Sequence, residues 1–173
     1  MAIRKILTEP DPFLRQTSKD VDEVDDAARK LMDDMLDTMY AAPGIGLAAI
    51  QVGIPKRIIV IDLSKEEEKK PLFFVNPKII LKSNNNATYE EGCLSVPGQF
   101  AEIDRPDRCH VNYLDYYGDE QDLKAEGLLA TCIQHEMDHL EGILFIDYLS
   151  KLKKSFIVKK LSKQKKSLER IVV

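Results

Sequence analysis

The chain has 173 residues, 44% apolar and 31% charged, with 8 Gly, 8 Pro and no Trp. This fits one ordinary globular domain and excludes a collagen-like or disordered chain. The formal charge is −4, and three cysteines, an odd number, cannot form a closed disulfide framework, which points to a reducing compartment.

Asp11-Pro12 opens a short turn or helix, Asp as cap and Pro at the first helical position. The spacing of Ala28, Leu31, Met32, Met35, Leu36 and Met39 predicts a helix over ~25–41, with acids at its start and Pro43-Gly44 at its end. The β-branched run 57–63 predicts a strand. Residues 64–70 read as a charged loop, and 72–81 as one or two strand pieces broken at Asn76-Pro77. Residues 82–87, with three consecutive Asn, read as a loop, and the Gly- and Pro-bearing run 90–98 as an irregular, close-packed segment. Residues 109–116 and 121–124 flank Gly118-Asp119 as a hairpin. A second helix is expected over ~126–141, stopped by Gly142, and a third follows. Strands in succession between helices predict an α+β domain with a mainly antiparallel sheet.

Charge is segregated. Residues 151–173 hold nine basic side chains against Glu169 alone, a charge of +8, which leaves −12 for residues 1–150. The first stretch is expected to form the body of the domain, and 151–173 a basic terminal helix of the same domain. Leu149, Leu152, Phe156 and Leu161 recur at helical spacing and predict a narrow docking stripe. Such a helix is either a solvated end or a contact for a polyanion such as RNA or a membrane surface. The absence of Trp and the single Phe make a membrane anchor the weaker version. The longest apolar runs fall short of the ~18–20 residues of a membrane span, and the opening run 1–7 is too short for a signal-peptide core. A cytoplasmic protein is expected, with neither membrane nor DNA as a partner.

The second helix carries His135-Glu136-Met137-Asp138-His139. Two His four apart share one helical face, so their imidazoles can meet on one ion, and the Glu between them can act as general base on a bound water. The helix is apolar on either side (Leu128-Leu129-Ala130, Leu140, Ile143-Leu144), which implies burial. Buried His and Glu need a partner, and a metal supplies one. A catalytic site takes three protein ligands and an open position. Cys132 shares the face but lies seven residues from His139, ~10 Å along the axis, and reads as a buried wall residue. Cys109 and His110 are neighbours on a strand and point to opposite faces. That leaves Cys93, in Glu90-Glu91-Gly92-Cys93-Leu94-Ser95, as the thiolate completing a Cys-His-His set. In Pro43-Gly44-Ile45-Gly46-Leu47-Ala48-Ala49-Ile50-Gln51 the small residues allow close backbone approach. Gln51, the one polar side chain there after Leu47, could donate to an oxyanion.

Together these segments resemble the peptide deformylase family: Gly-x-Gly-Leu-Ala-Ala-x-Gln at 44–51, Glu-Gly-Cys-Leu-Ser at 91–95 and Gln-His-Glu-x-Asp-His-Leu-x-Gly at 134–142. The resemblance implies antiparallel sheets around a central metal-binding helix, a C-terminal helix, and hydrolysis of the N-formyl group from the formylmethionine of new polypeptides, releasing formate. It implies that Cys93, His135 and His139 bind one ion per chain, Fe²⁺ with Zn²⁺, Ni²⁺ or Co²⁺ as substitutes. Glu136 would move the proton, and Gln51 with the Leu94 N–H would hold the formyl oxygen. The methionine pocket would include Ile45, Glu91, Leu128, Cys132 and His135, with Gly46 and Gly92 bonding the peptide backbone. Asp138 and Glu91 would orient the ligands, and Arg105 would pair with Asp138. As in bacterial members with a basic C-terminal helix, residues 151–173 would touch the ribosome. The chain departs from some members at Phe100, where those carry an Arg that contacts substrate, which bears on peptide preference. Two rivals remain at this point: a zinc peptidase with the same His-Glu-His core and a downstream third ligand, and a non-catalytic ribosome-associated homologue.

Overall fold

The computed structural model describes residues 2–65 and 68–171 (backbone only at 171). Met1, residues 66 and 67 of the expected charged loop and the last two residues of the expected tail helix lie outside the described residues. Asp11 caps a single 3-10 turn, Pro12–Arg15, by accepting the Phe13 N–H at 2.9 Å. Helix α1 (Asp26–Ala41) starts at the Asp25 cap, whose carboxylate accepts the Ala28 N–H at 2.7 Å. Seven strands follow: β1 (Gly46–Ala48), β2 (Ile58–Ile61), β3 (Leu72–Lys82), β4 (Asn86–Cys93), β5 (Val96–Pro106), β6 (Arg108–Leu114) and β7 (Glu120–Glu126). Helix α2 (Gly127–Leu140), a 3-10 turn (Phe145–Tyr148) and helix α3 (Lys151–Ile171) complete the chain.

Five strands form one antiparallel sheet in the order β1-β2-β3-β6-β7, and β4 and β5 form a separate hairpin. Strand β2 shows why its sequence lacks alternation. Ile58 and Val60 pack with Met32, Met35 and Met39 of α1, while Ile59 and Ile61 pack with Phe74 and with Ile133 of α2. With a helix on each face, every position is apolar and buried. The metal-motif helix is thus sandwiched between the sheet and the hairpin.

Three expectations need correction. Residues 72–82 are one strand, and Asn76-Pro77 is a bulge inside it, with the register shifting between Val75 and Lys78. Asn76 takes a positive φ of 49°, and its carboxamide grips the Val21 backbone through two 2.8 Å hydrogen bonds. The expected loop at 82–87 shrinks to 83–85 between β3 and β4, with Asn86 and Ala87 already in β4, and the expected irregular segment at 90–98 is the tip of the β4–β5 hairpin. Its outer face carries Thr88, Glu90, Glu102 and Asp104, and its inner face mixes Tyr89, Ala101 and Ile103 with the buried charges Glu91 and Arg105, which interrupt the apolar alternation. On the way into and along α3, Leu149 and Leu161 dock as expected, but their companion is Ile157, against Val96, Ile103 and Phe145, whereas Leu152 is 82% exposed and Phe156 70% exposed. Leu152-Phe156 and Ile157-Leu161 both repeat every four residues, so spacing alone could not choose between faces about 100° apart on the helix.

Leu161→Ala is expected to lower the unfolding free energy by about 2–3 kcal/mol, and Leu152→Ala by no more than about 0.5 kcal/mol, in urea denaturation. Equal effects would mean that α3 packs by the other face.

Candidate active site

His135 and His139 stand one turn apart on the buried face of α2, their rings 5.1 Å apart. Cys93 arrives from the end of β4, where the ladder shifts register between Gly92 and Cys93 and re-aims the side chain. Its Sγ lies 3.3 Å from His139 Nε2, and the ligand atoms of Cys93, His135 and His139 all lie within 4.8 Å of one another. One thiolate and two imidazoles at this separation fit a single divalent cation with an open fourth position. Cys132 stays outside the set: it is buried in the pocket wall, and burial pushes its thiol well above the ordinary value. Cys109 and His110 also lie elsewhere, on β6, with His110 bonded to Asp122 at 2.6 Å.

The two histidines are set up differently. His135 Nδ1 lies 2.8 Å from Glu91 Oε2, which leaves Nε2 for a metal. Burial alone would depress the His135 imidazolium, but its bonds to Cys93 and Glu91 hold it well above the usual range. Burial, aided by the positive charges of His135, Arg105 and Arg15, holds His139 well below that range. Glu91 is itself gripped by Arg105, through Nε at 2.6 Å and Nη2 at 3.1 Å. Arg105 Nη1 reaches Asp138 Oδ2 at 2.8 Å. Burial would raise the Glu91 carboxyl, yet these partners keep it below its ordinary value. Glu91, Arg105 and Asp138 therefore form one chain ending at His135.

Glu136 faces the site from the same helix. It is buried, its Oε2 has no hydrogen-bond partner among the described residues, and burial pushes its pKa up to about 7. Gly46 makes room for it: a Cβ at 46 would sit 2.4 Å from Glu136 Oε1. Gln51 lies on the 3-10 turn Ala49–Val52. Its Oε1 accepts the Ala48 N–H at 2.8 Å, which aims its amide nitrogen at Ser95 Oγ (3.0 Å) and Cys93 Sγ (3.5 Å). Leu94 follows Cys93 in the turn between β4 and β5.

These residues border a cavity of about 480 Å³. Ile45, Gly46, Gly92, Leu94, Leu128 and Cys132 line it, with Ile45 and Leu128 half-exposed. Glu91 lines it too, but its carboxylate is turned toward Arg105 and His135. Phe100, at the mouth, lies over Gly92, where a Cβ would meet its ring at 2.5 Å. Three contributors escaped the sequence reading. Ser95 was visible inside the Cys93 segment and anchors Gln51. Phe145, with its ring centroid 6.2 Å from that of His135, and Tyr148, bonded to Asp138, carried no signal beyond being aromatic.

The family model for polypeptide deformylase matches residues 3–155. The chain is 69% identical to the peptide deformylase of Pelagibacter ubique, over the whole of both chains. It is 63% identical to that of Maricaulis maris, over 98% of each. The crystal structure of the Ehrlichia chaffeensis peptide deformylase in complex with actinonin superposes with a TM-score of 0.91 at 48% identity, covering 95% of this chain and 98% of that one. The enzyme of Legionella pneumophila gives 0.90 at 44% identity, covering 98% and 99%. Motifs, fold, site geometry and relatives converge: the chain belongs to the peptide deformylase family, metal-dependent hydrolases that remove N-formyl groups.

Proposed function

We propose that Cys93, His135 and His139 hold one Fe²⁺ and that, around it, this chain releases formate from the formylmethionine of newly made polypeptides in the cytoplasm. The observation that carries this is the buried Glu136 carboxylate, whose Oε2 has no hydrogen-bond partner among the described residues, beside Cys93 and His135 on the wall of an apolar cavity, with the His139 imidazole within one cation's reach of both. When bound, the cation supplies a hydroxide-like nucleophile near neutral pH, by lowering the pKa of water toward ~7. Glu136 takes the proton from the attacking water and passes it to the leaving amine. Gln51 Nε2 and the Leu94 N–H donate to the formyl oxygen as negative charge develops, each such donor being worth about 3–4 kcal/mol. Ile45, Leu128 and Cys132 take the methionine side chain, and Gly46 and Gly92 bond the peptide backbone. Phe100 offers following residues an apolar contact in place of a guanidinium. Zn²⁺, Ni²⁺ and Co²⁺ suit the same donors, and the thiolate makes the ferrous form sensitive to oxygen.

A peptidase reading needs a third ligand after His139. Glu141 is instead paired with Arg57, and Asp147 with Arg15 and Lys154. Residues 1–150 form the catalytic body in this reading, and 151–173 a ribosome contact. Lys160, Lys163 and Lys166 support that role, for they are exposed while Ile157 and Leu161 dock the helix. No helix among the described residues is long and apolar enough to cross a membrane.

With anaerobically prepared Fe²⁺ protein and a formyl-Met-Ala-Ser peptide, formate release is expected, and Glu136→Ala should lower it by about 10²–10⁴-fold with the metal still bound. Undiminished turnover in that variant would remove Glu136 from the reaction. Gly46→Ala is expected to displace the Glu136 carboxylate and cut kcat on the order of 10²-fold, again with metal retained; an unchanged kcat would show that the close approach is dispensable. Neutralising Lys160, Lys163 and Lys166 to Gln should weaken co-sedimentation with ribosomes while peptide turnover stays constant. Ribosome binding that persists unchanged would refute the tail assignment.

A further inference from the structure

We propose that Tyr148 is a positioning residue for His135, acting through Asp138, Arg105 and Glu91. The inference rests on the reading of His135 as a metal ligand. Tyr148 ends the 3-10 turn Phe145–Tyr148, and α3 begins at Lys151. Its phenol is half-exposed, yet the O–H donates inward to Asp138 Oδ2 at 2.7 Å, and the ring lies 4.9 Å from Arg105 Cζ. Asp138 Oδ2 also accepts from Arg105 Nη1 at 2.8 Å. Arg105, only 4% exposed, spends its remaining contacts on Glu91, whose other link is the 2.8 Å bond to His135 Nδ1. Tyr148 is thus the surface end of an unbroken series of hydrogen bonds that reaches the imidazole.

The same turn holds that imidazole a second way. Phe145, fully buried, lies with its ring at 25° to His135 and centroids 6.2 Å apart. One short segment therefore fixes the ring face through Phe145 and the ring edge through Tyr148. Geometry explains why the chain positions. Arg105 is a planar fork with two acceptor groups, Glu91 on one side and Asp138 on the other. Asp138 is partly solvated, and Tyr148 fixes its carboxylate by a second bond. Without the phenol O–H, Asp138 gains rotational freedom, Arg105 loses its fixed outer anchor, and the Glu91 bond that orients His135 slackens. Groups that orient a ligand in this way change metal affinity by about 10–100-fold when they touch it directly. Tyr148 acts three links further out, so a smaller effect is expected.

The test uses Co²⁺-loaded protein, whose thiolate-to-cobalt absorption reports an intact site, mixed anaerobically with excess EDTA. Tyr148→Phe keeps the ring over Arg105 and deletes only the donor. It should release Co²⁺ about 3–10-fold faster than the parent protein, with the urea midpoint of the metal-free form unchanged. Leu152→Ala, a change of an exposed neighbour, should release it at the parent rate. Asp138→Asn should also accelerate release, and adding Tyr148→Phe to it should add little, since the two act in series. Parent-rate release from Tyr148→Phe, or fully additive acceleration in the double variant, would overturn the proposal. A fall in the metal-free urea midpoint that accounts for the faster release would also overturn it, by showing a merely structural role. His135→Ala separates the two layers. If that variant still binds Co²⁺ with an unchanged spectrum, the ligand reading itself fails; if it loses the band while Tyr148→Phe behaves like the parent, only the coupling fails.

Discussion

A thiolate from one strand and two imidazoles from one helix meet within the reach of a single cation, in a largely buried part of the molecule. Most of the fold serves that convergence. Helix α2 supplies two candidate ligands and the Glu136 carboxylate from one face, and it can be buried because the sheet covers it on one side and the β4–β5 hairpin on the other. The hairpin delivers Cys93 through a register shift. Gly46 lets β1 approach α2 closely enough to face Glu136. Each device places a polar group in apolar surroundings, where an unpaired one costs several kcal/mol.

Burial of charge is handled by sharing. Glu91, Arg105 and Asp138 satisfy one another around His135, and removing Arg105 would leave the buried Glu91 without its guanidinium countercharge. Glu136 is the exception. Its Oε2 has no hydrogen-bond partner among the described residues, and burial lifts its pKa to about 7, in the range where a group can both take and give a proton at neutral pH. A cation held beside it would favour the carboxylate form, which suits its proposed role as a base. The contrast between a carboxylate fully tied down and another left free, on either side of one histidine, is what divides support from chemistry here.

Much of this was legible in the sequence. The helical spacing of His135 and His139, the exclusion of Cys132 by distance along the axis, and the small residues around Gly46 each follow from local geometry that residue types encode. The pairing of Arg105 with Asp138 was also anticipated. The β4–β5 hairpin was not legible, because Glu91 and Arg105 share its inner face with Tyr89, Ala101 and Ile103, and Gly92, Pro97 and Gly98 break the pattern near its tip. Leu152 and Phe156 were wrongly placed beside Leu149 and Leu161 on the docking face because Leu152-Phe156 and Ile157-Leu161 offer the same spacing, and only the surface made by Val96, Ile103 and Phe145 chooses between them. Ser95, Phe145 and Tyr148 act through partners distant in sequence, and no local pattern records such contacts.

X-ray absorption at the metal edge of the Zn²⁺-loaded protein bears most directly on the central claim, that Cys93, His135 and His139 form one three-ligand site with an open position. The account predicts one sulfur scatterer at ~2.3 Å and three nitrogen or oxygen scatterers at ~2.0–2.1 Å, with the sulfur lost in Cys93→Ser. A first shell with no sulfur, or with a second sulfur that would bring in Cys132, would contradict it.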